Sequence, residues 1–260
     1  MAARPFRSVY RQDGLSFRHD DYSPAEGVSL WENSPILAAL CDPASFHHFF
    51  DDFYNYDATA TVGNYVSVTD AGSAVALDDA AGGVLNIGSD GDDNDETYLA
   101  TVPQAWLFAA SKPLWFEARI KLTEAATDDS NFIVGLSDTV GANTLVDNAG
   151  GAPSSYDGAV WVKVDGGTVF QFESSNAGVQ VNTSNAGAFV SNTWYRIGFV
   201  FDPAGGTTGT VVPWLNGVAG TSQNITLAGL QEMSVLLGVK AGGANEENLL
   251  VDYVRVLQAR

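Results

Sequence analysis

What most constrains the fold of this chain is a recurring pattern of short runs in which every second residue is apolar, separated by clusters of Gly, Asn and Asp. Side chains of an extended strand alternate between two faces, so such a run buries one face and shows the other to water. Leu114 to Leu122 is the clearest case: Leu114, Phe116, Ala118, Ile120 and Leu122 share one face, and Glu117, Arg119 and Lys121 lie on the other. In Trp194 to Asp202 the apolar face is Tyr195, Ile197, Phe199 and Phe201. Leu249 to Leu257 is apolar on both faces apart from Asp252 and Arg255, which predicts a strand in the middle of a sheet. Shorter runs recur at Tyr65 to Thr69, Val84 to Ile87, Thr97 to Thr101, Asn131 to Ser137, Ala159 to Val164 and Val169 to Phe172. No long amphipathic helical period is present, and 27 glycines supply many turns. The pattern predicts an all-β, antiparallel sandwich of the jelly-roll type over residues 46–260.

Residues 1–45 read differently. Arg, Asp, Pro and single aromatics follow one another without a sustained period of 2 or 3.6, which predicts an extended N-terminal arm. Its large side chains (Phe6, Tyr10, Phe17, Tyr22 and Trp31) are widely spaced, as separate anchors would be. A short helix is predicted over Ser34 to Leu40, with Ser34 as cap and Pro35 in the first turn. The aromatic-rich Phe46 to Phe53 marks the junction with the β domain.

The net charge of −19 is unevenly placed. Arg4, Arg7, Arg11 and Arg18 against Asp13 make residues 1–18 basic, at +3. From His19 to Ser111 there is no Lys or Arg, and sixteen acidic residues give −16. The remainder carries −6. Such a surface repels nucleic acid and anionic membranes, because binding phosphate requires a positive face. The single cysteine, Cys41, excludes an internal disulfide and leaves a buried structural thiol or a reactive one, of which the apolar stretch before it favours the buried thiol. The segment after MAARPFRSVY lacks the apolar core of a secretory signal, and no run of ~20 apolar residues follows, so the chain is expected to be made in the host cytoplasm and kept soluble without a secretory signal.

Three stretches resemble the concanavalin A-like lectin and glucanase superfamily, which includes laminin-G-like domains. They are Trp115 to Leu122, then Trp194 to Phe199 with Trp214-Leu215-Asn216-Gly217 following, and Val251 to Val256. The resemblance implies a jelly roll across residues 46–260 and leaves the activity open. The middle stretch also has a physical logic: a Gly-rich turn at Pro203 to Gly209, a second strand, then Asn216-Gly217, a pair suited to the positive φ angles of a tight hairpin.

Glycoside hydrolysis requires two carboxyl groups flanking the scissile bond. Glucanases of this resemblance carry Glu, Asp two positions on and Glu three further on one strand. Here Glu117 is followed by Arg119, Glu124 by Ala126 and Glu173 by Ser175, so no catalytic residue carries over and no enzyme is expected. Glu117 reads as a solvated strand-face charge. His19, His47 and His48 lack the spacing of a zinc site. Asp90, Asp92, Asn94 and Glu96 alternate as hard oxygen ligands of Ca²⁺ would, although a solvated acidic loop is the commoner explanation; no cofactor is expected other than this calcium. Trp106, Trp115, Trp161, Trp194 and Trp214 are candidates for stacking on sugar rings, against the commoner role of packing.

A basic arm ahead of an acidic jelly roll without catalytic carboxylates resembles a bacteriophage virion protein, and more narrowly the decoration or cement proteins of phage capsids. That resemblance implies a non-enzymatic structural protein on the capsid surface. Arg4, Phe6, Arg7, Tyr10, Arg11, Phe17, Tyr22 and Trp31 would grip the major capsid protein of the head. It also implies a homo-oligomer, in such proteins often a trimer. The alternative is a lectin-like module of a phage tail or fibre, with a glycan as partner.

Overall fold

The computed structural model describes residues 8–12, 15–19, 30, 31, 34, 35, 42–57, 64–78 and 81–260. Every regular element among them is a strand. In the arm, β1 (Ser8–Gln12) and β2 (Leu15–His19) pair antiparallel, pairing that the sequence pattern does not announce. The helix expected over Ser34 to Leu40 and the buried thiol of Cys41 lie largely outside the described residues. At its start, Ser34 closes a turn, its amide donating to the Trp31 carbonyl over 3.1 Å.

The remaining strands form two packed antiparallel sheets. One has, from edge to edge, β12 (Val179–Ala188), β11 (Val169–Asn176), β10 (Gly158–Lys163), β9 (Ser130–Ser137), β17 (Ser234–Ala241), β7 (Glu96–Thr101) and β4 (Tyr65–Thr69). The other begins with β15 (Val218–Ala219) and β16 (Gln223–Thr226), both on β14 (Thr208–Leu215). It continues through β13 (Tyr195–Asp202), β8 (Leu114–Thr123) and β18 (Asn248–Ala259). It ends with β6 (Leu85–Gly88) and β5 (Ala74–Leu77), and β3 (Phe46–Asp51) pairs the C-terminal half of β18. This is the expected jelly-roll sandwich.

The alternation places the core. Leu114, Phe116, Ala118, Ile120 and Leu122 of β8 and Tyr195, Ile197, Phe199 and Phe201 of β13 all enter one buried cluster between the sheets. Trp161, Phe170 and Phe172 meet them from the opposite sheet. Each large side chain removed from water here contributes on the order of 1.5–3 kcal/mol.

β18 lies in the middle of its sheet, as its apolar character requires, and the structure also explains why both of its faces read as apolar. The register against β8 slips between Val251 and Tyr253, a bulge at Asp252. The bulge resets the alternation, so Leu249 and Val251 before it and Val254 and Val256 after it all enter the core. Asn216 and Gly217 have φ of +50° and +80° and join β14 to β15, the tight turn that the dipeptide predicts.

Candidate functional site

A sandwich of this kind offers two outer sheet faces for binding, and the chain covers part of each. Over the seven-stranded sheet lies the loop of residues 138–157 between β9 and β10. Leu145 and Tyr156 of this loop pack on Tyr98, Ile133, Val160, Val162 and Leu236, making a second buried cluster. Its ends are tied together: the Asp157 amide donates to Asp138 Oδ1 over 2.7 Å, and Tyr156 OH donates to Glu173 Oε1 over 3.0 Å.

Its middle is clamped by Lys240, which is 1% exposed. Lys240 Nζ donates to Glu96 Oε2 (3.0 Å), Asn143 Oδ1 (2.9 Å) and the Leu145 carbonyl (3.1 Å), and pairs with Asp147. Tyr98 completes the network, donating to Glu96 Oε2 and accepting from the Leu145 amide, both over 2.8 Å. Burial, then the Glu96 carboxylate, raises the Tyr98 hydroxyl far above its ordinary value, so it stays protonated as donor.

The expected calcium ligands are therefore not brought together. Asp90, Asp92 and Asn94 stay on the loop between β6 and β7, whereas Glu96 is buried and turned toward Lys240, since a buried carboxylate requires its cation. Among the described residues no group of three acidic, His or Cys side chains is arranged to hold a metal. The loop is nevertheless crowded with charge: burial, and then Asp70, Asp92 and Asp90, push the Asp95 carboxyl above its usual range.

The outer face of the other sheet carries most of the domain's accessible cations. Glu117 is a correction to the sequence reading: it is 7% exposed, and its Oε1 accepts from Trp31 Nε1 (3.0 Å) and Tyr253 OH (2.7 Å). Arg255 lies 5.0 Å from the Trp31 ring centroid, in cation–π contact. Leu30 joins Trp115 and Leu257 in a third buried cluster and sits directly on Gly198. A Cβ on Gly198 would lie 2.4 Å from the Phe116 carbonyl oxygen and 2.9 Å from Leu30. The missing side chain makes the seat. Of the expected anchors, Trp31 is thus placed on the chain's own domain. Tyr10, Arg11 and Phe17 lie on the β1–β2 hairpin, and Arg4, Phe6, Arg7 and Tyr22 fall outside the described residues.

The remaining tryptophans are buried or half-buried. Trp106, Trp115 and Trp161 are buried. Arg119 and Lys121 lie over the Trp194 ring, and Trp214 packs half-buried against the cluster of Leu30, Trp115 and Leu257. A groove of about 540 Å³ opens at one end of the sandwich between His47, Asn64, Thr101, Pro103, Trp106 and Arg260. The His47 ring packs 4.6 Å from that of Trp106. Burial, and then Arg260, hold this imidazole below its ordinary pKa, and its Nε2 has no hydrogen-bond partner among the described residues. The sequence marks neither this groove nor the loop over the other sheet, because both are assembled from segments far apart in the chain.

No family description and no curated protein sequence matches the chain. Solved structures do. Peanut lectin superposes with a TM-score of 0.53 at 12% identity, covering 83% of this chain and 98% of the lectin. An endo-1,3-β-glucanase from Streptomyces sioyaensis gives 0.54 at 16% identity, covering 84% and 98%. The fold is that of the concanavalin A-like lectins and glucanases. The potassium-bound form of the Emp46p carbohydrate recognition domain, at a TM-score of 0.54 and 9% identity over 79% and 93% of the two chains, is a further concanavalin A-like neighbour. The neighbours thus include lectins, an enzyme and a metal-bound domain. At these identities the likeness concerns architecture.

Glu117, Glu124 and Glu173, which lack the glucanase spacing, are each engaged within the sandwich. Glu117 is held by Trp31 and Tyr253. Glu173 accepts from Tyr156, Gln180 and Asn182. Glu124 accepts from Ser130 and pairs with the buried Lys163.

Proposed function

We propose that this chain is a non-enzymatic attachment protein of a phage particle, a capsid decoration protein whose N-terminal arm fastens a lectin-type sandwich to the head. The observation that carries the reading is the seating of Leu30 and Trp31 on Gly198, Glu117 and Arg255. These two residues fix where the arm leaves the domain, so the basic segment ahead of them serves as a tether of defined origin. Its four arginines suit an acidic outer surface on the partner. Support for a non-catalytic role comes from Glu117, Glu124 and Glu173, all committed to internal partners. A ligand that binds only the assembled shell stabilises it by mass action.

The test is co-sedimentation with phage heads. Removal of residues 1–29, which leaves Leu30 and Trp31 in place, is expected to abolish binding without lowering the melting temperature of the sandwich. Full occupancy by the shortened chain would refute the tether.

The groove of about 540 Å³ beside His47, Asn64 and Arg260 favours a second reading, a glycan-binding module, in keeping with the lectins among the structural neighbours. A glycan array on the full chain separates the two. Specific binding that is lost on replacing Asn64 and Arg260 supports the module, and silence supports the attachment protein.

A further inference from the structure

Charge on this sandwich is sorted between its two long edges. At one edge lie β4, β5 and the loop between β6 and β7. Residues 51–96 contain eleven Asp or Glu and no Lys or Arg. They are drawn close together: the Glu96 amide donates to Asp70 Oδ2 over 3.1 Å, and the Asp90 amide to Ser73 Oγ over 3.0 Å. The crowding raises the Asp95 carboxyl.

The opposite edge is formed by β12 in one sheet and by β15 and β16 in the other. It is built from two stretches, 174–195 and 203–231, neither of which contains an Asp, Glu, Lys, Arg or His. Side-chain bonds join these stretches across the gap between the sheets. Gln223 Nε2 donates to the Phe172 carbonyl and to Thr183 Oγ1, both over 3.0 Å, and Asn176 Nδ2 donates to the Thr226 carbonyl over 2.7 Å. Shallow grooves of about 320 and 230 Å³ lie between the two edges.

β12 bonds β11 on one side only, and no described strand pairs its other side. Val179 (75% exposed), Val181 (40%) and, on β15, Val218 (66%) are open to solvent. Proteins normally protect a free edge with Lys, Pro or an inward-pointing charge. β12 has none of these. It does bulge beyond Thr183, where Phe172 pairs Thr183 but Phe170 pairs Gly187, so Val179–Thr183 is the regular stretch.

We propose that this charge-free edge is where a second copy of the chain docks, β12 pairing antiparallel with its counterpart about a two-fold axis near Val181. The occupant follows from the charge map. A copy carrying −19 is repelled by another wherever their acidic surfaces meet. Seven strands at about 4.8 Å spacing hold the acidic edge roughly 29 Å from β12, more than three Debye lengths at physiological salt. Edge-to-edge docking through β12 therefore keeps the two anionic edges at the far ends of the assembly.

In an antiparallel self-pair the residue on the axis faces its own copy and its immediate neighbours lie close to theirs, so a charge there would oppose itself. β12 is compatible with that symmetry because it has no charge. Pairing over Val179–Thr183 spans about 17 Å and, with the edge of the second sheet about 10 Å away, buries on the order of 400–500 Å² per copy, which suits a weak, reversible dimer. β4, the edge strand at the acidic side, has only five residues and runs into Asp70, and is unsuited to the role. The inference does not depend on the proposed attachment function.

The experiment is sedimentation equilibrium of the full chain from 1 to 100 µM, for the native protein and for Val181→Lys, Val181→Glu and Val66→Lys. The native chain and Val66→Lys are expected to dimerise alike, more tightly as salt rises. Each Val181 variant should weaken the dimer about a hundredfold or more, and an equimolar mixture of the Lys and Glu variants should restore it. Hydrogen exchange at Val179–Thr183 should slow in the native dimer, a readout that needs no variant. A native chain that stays monomeric at 100 µM, a dimer indifferent to both Val181 variants, or a mixture that fails to recover would each overturn the proposal.

Discussion

Glu247 supplies a prediction that follows from burial alone. It is fully buried at the start of β18, held there by its amide donating to Ser89 Oγ (3.0 Å) and its carbonyl accepting from the Ser89 amide (2.9 Å). Its Oε2 accepts one long bond from the Ala125 amide, 3.3 Å, and its Oε1 has no hydrogen-bond partner among the described residues. The nearby cation, Lys163, is already paired with Glu124. Burial raises the Glu247 carboxyl to about 8, and Glu124 and Asp129 add repulsion.

An acid with a raised pKa binds its proton more tightly folded than unfolded, so stability falls as pH rises from the unfolded value near 4.5 to the folded value near 8. Each unit is worth about 1.4 kcal/mol, which at pH 7 gives a ceiling near 3.4 kcal/mol. Partial solvent screening at the end of the sandwich brings the expectation to about 2 kcal/mol. Glu247→Gln removes this penalty while keeping a donor where the acid proton sits. In urea titrations the variant should match the native chain at pH 4.5 and exceed it by about 2 kcal/mol at pH 7. Equal pH profiles for the two proteins, or a variant less stable at pH 7, would refute the reasoning.

Three further outcomes are expected. Lys240→Met leaves Glu96 and Asp147 beside the loop of residues 138–157 without their cation, and should cost about 3–5 kcal/mol, with faster hydrogen exchange in that loop before the rest of the sandwich. Trp31→Ala removes a partner of the buried Glu117 and the ring against Arg255; a loss of about 1–3 kcal/mol by chemical denaturation checks it, and Trp31→Phe, which keeps the ring without its donor, should lose less. Because Glu96 is turned away from Asp90 and Asp92, adding calcium or a chelator should move the melting temperature by less than about 2 °C in differential scanning calorimetry.

How much of this was legible in the sequence depended on whether the information was local. Alternation at Leu114 to Leu122 and at Trp194 to Asp202 specified both the strands and their buried faces, because the two-residue period is a property of the extended backbone itself. The Asn216-Gly217 hairpin was equally local. β12 escaped notice since Val-Gln-Val-Asn-Thr-Ser-Asn-Ala-Gly-Ala has the composition of a loop, and only its pairing with β11 makes it a strand. The bulge at Asp252 was hidden for the same reason: it is defined by register against a neighbour.

The candidate binding surfaces were the least legible. A strand-face glutamate such as Glu117 reads as solvated until a tryptophan 86 residues away in the chain comes to lie on it. The sequence by itself determined the fold class, the buried faces and the separation of charge along the chain. Tertiary structure alone decided that Glu96 faces Lys240 rather than the acidic loop, that Trp31 rests on its own domain, and that two uncharged stretches meet at one edge. Those are contacts between residues distant in the chain, and no local period encodes them.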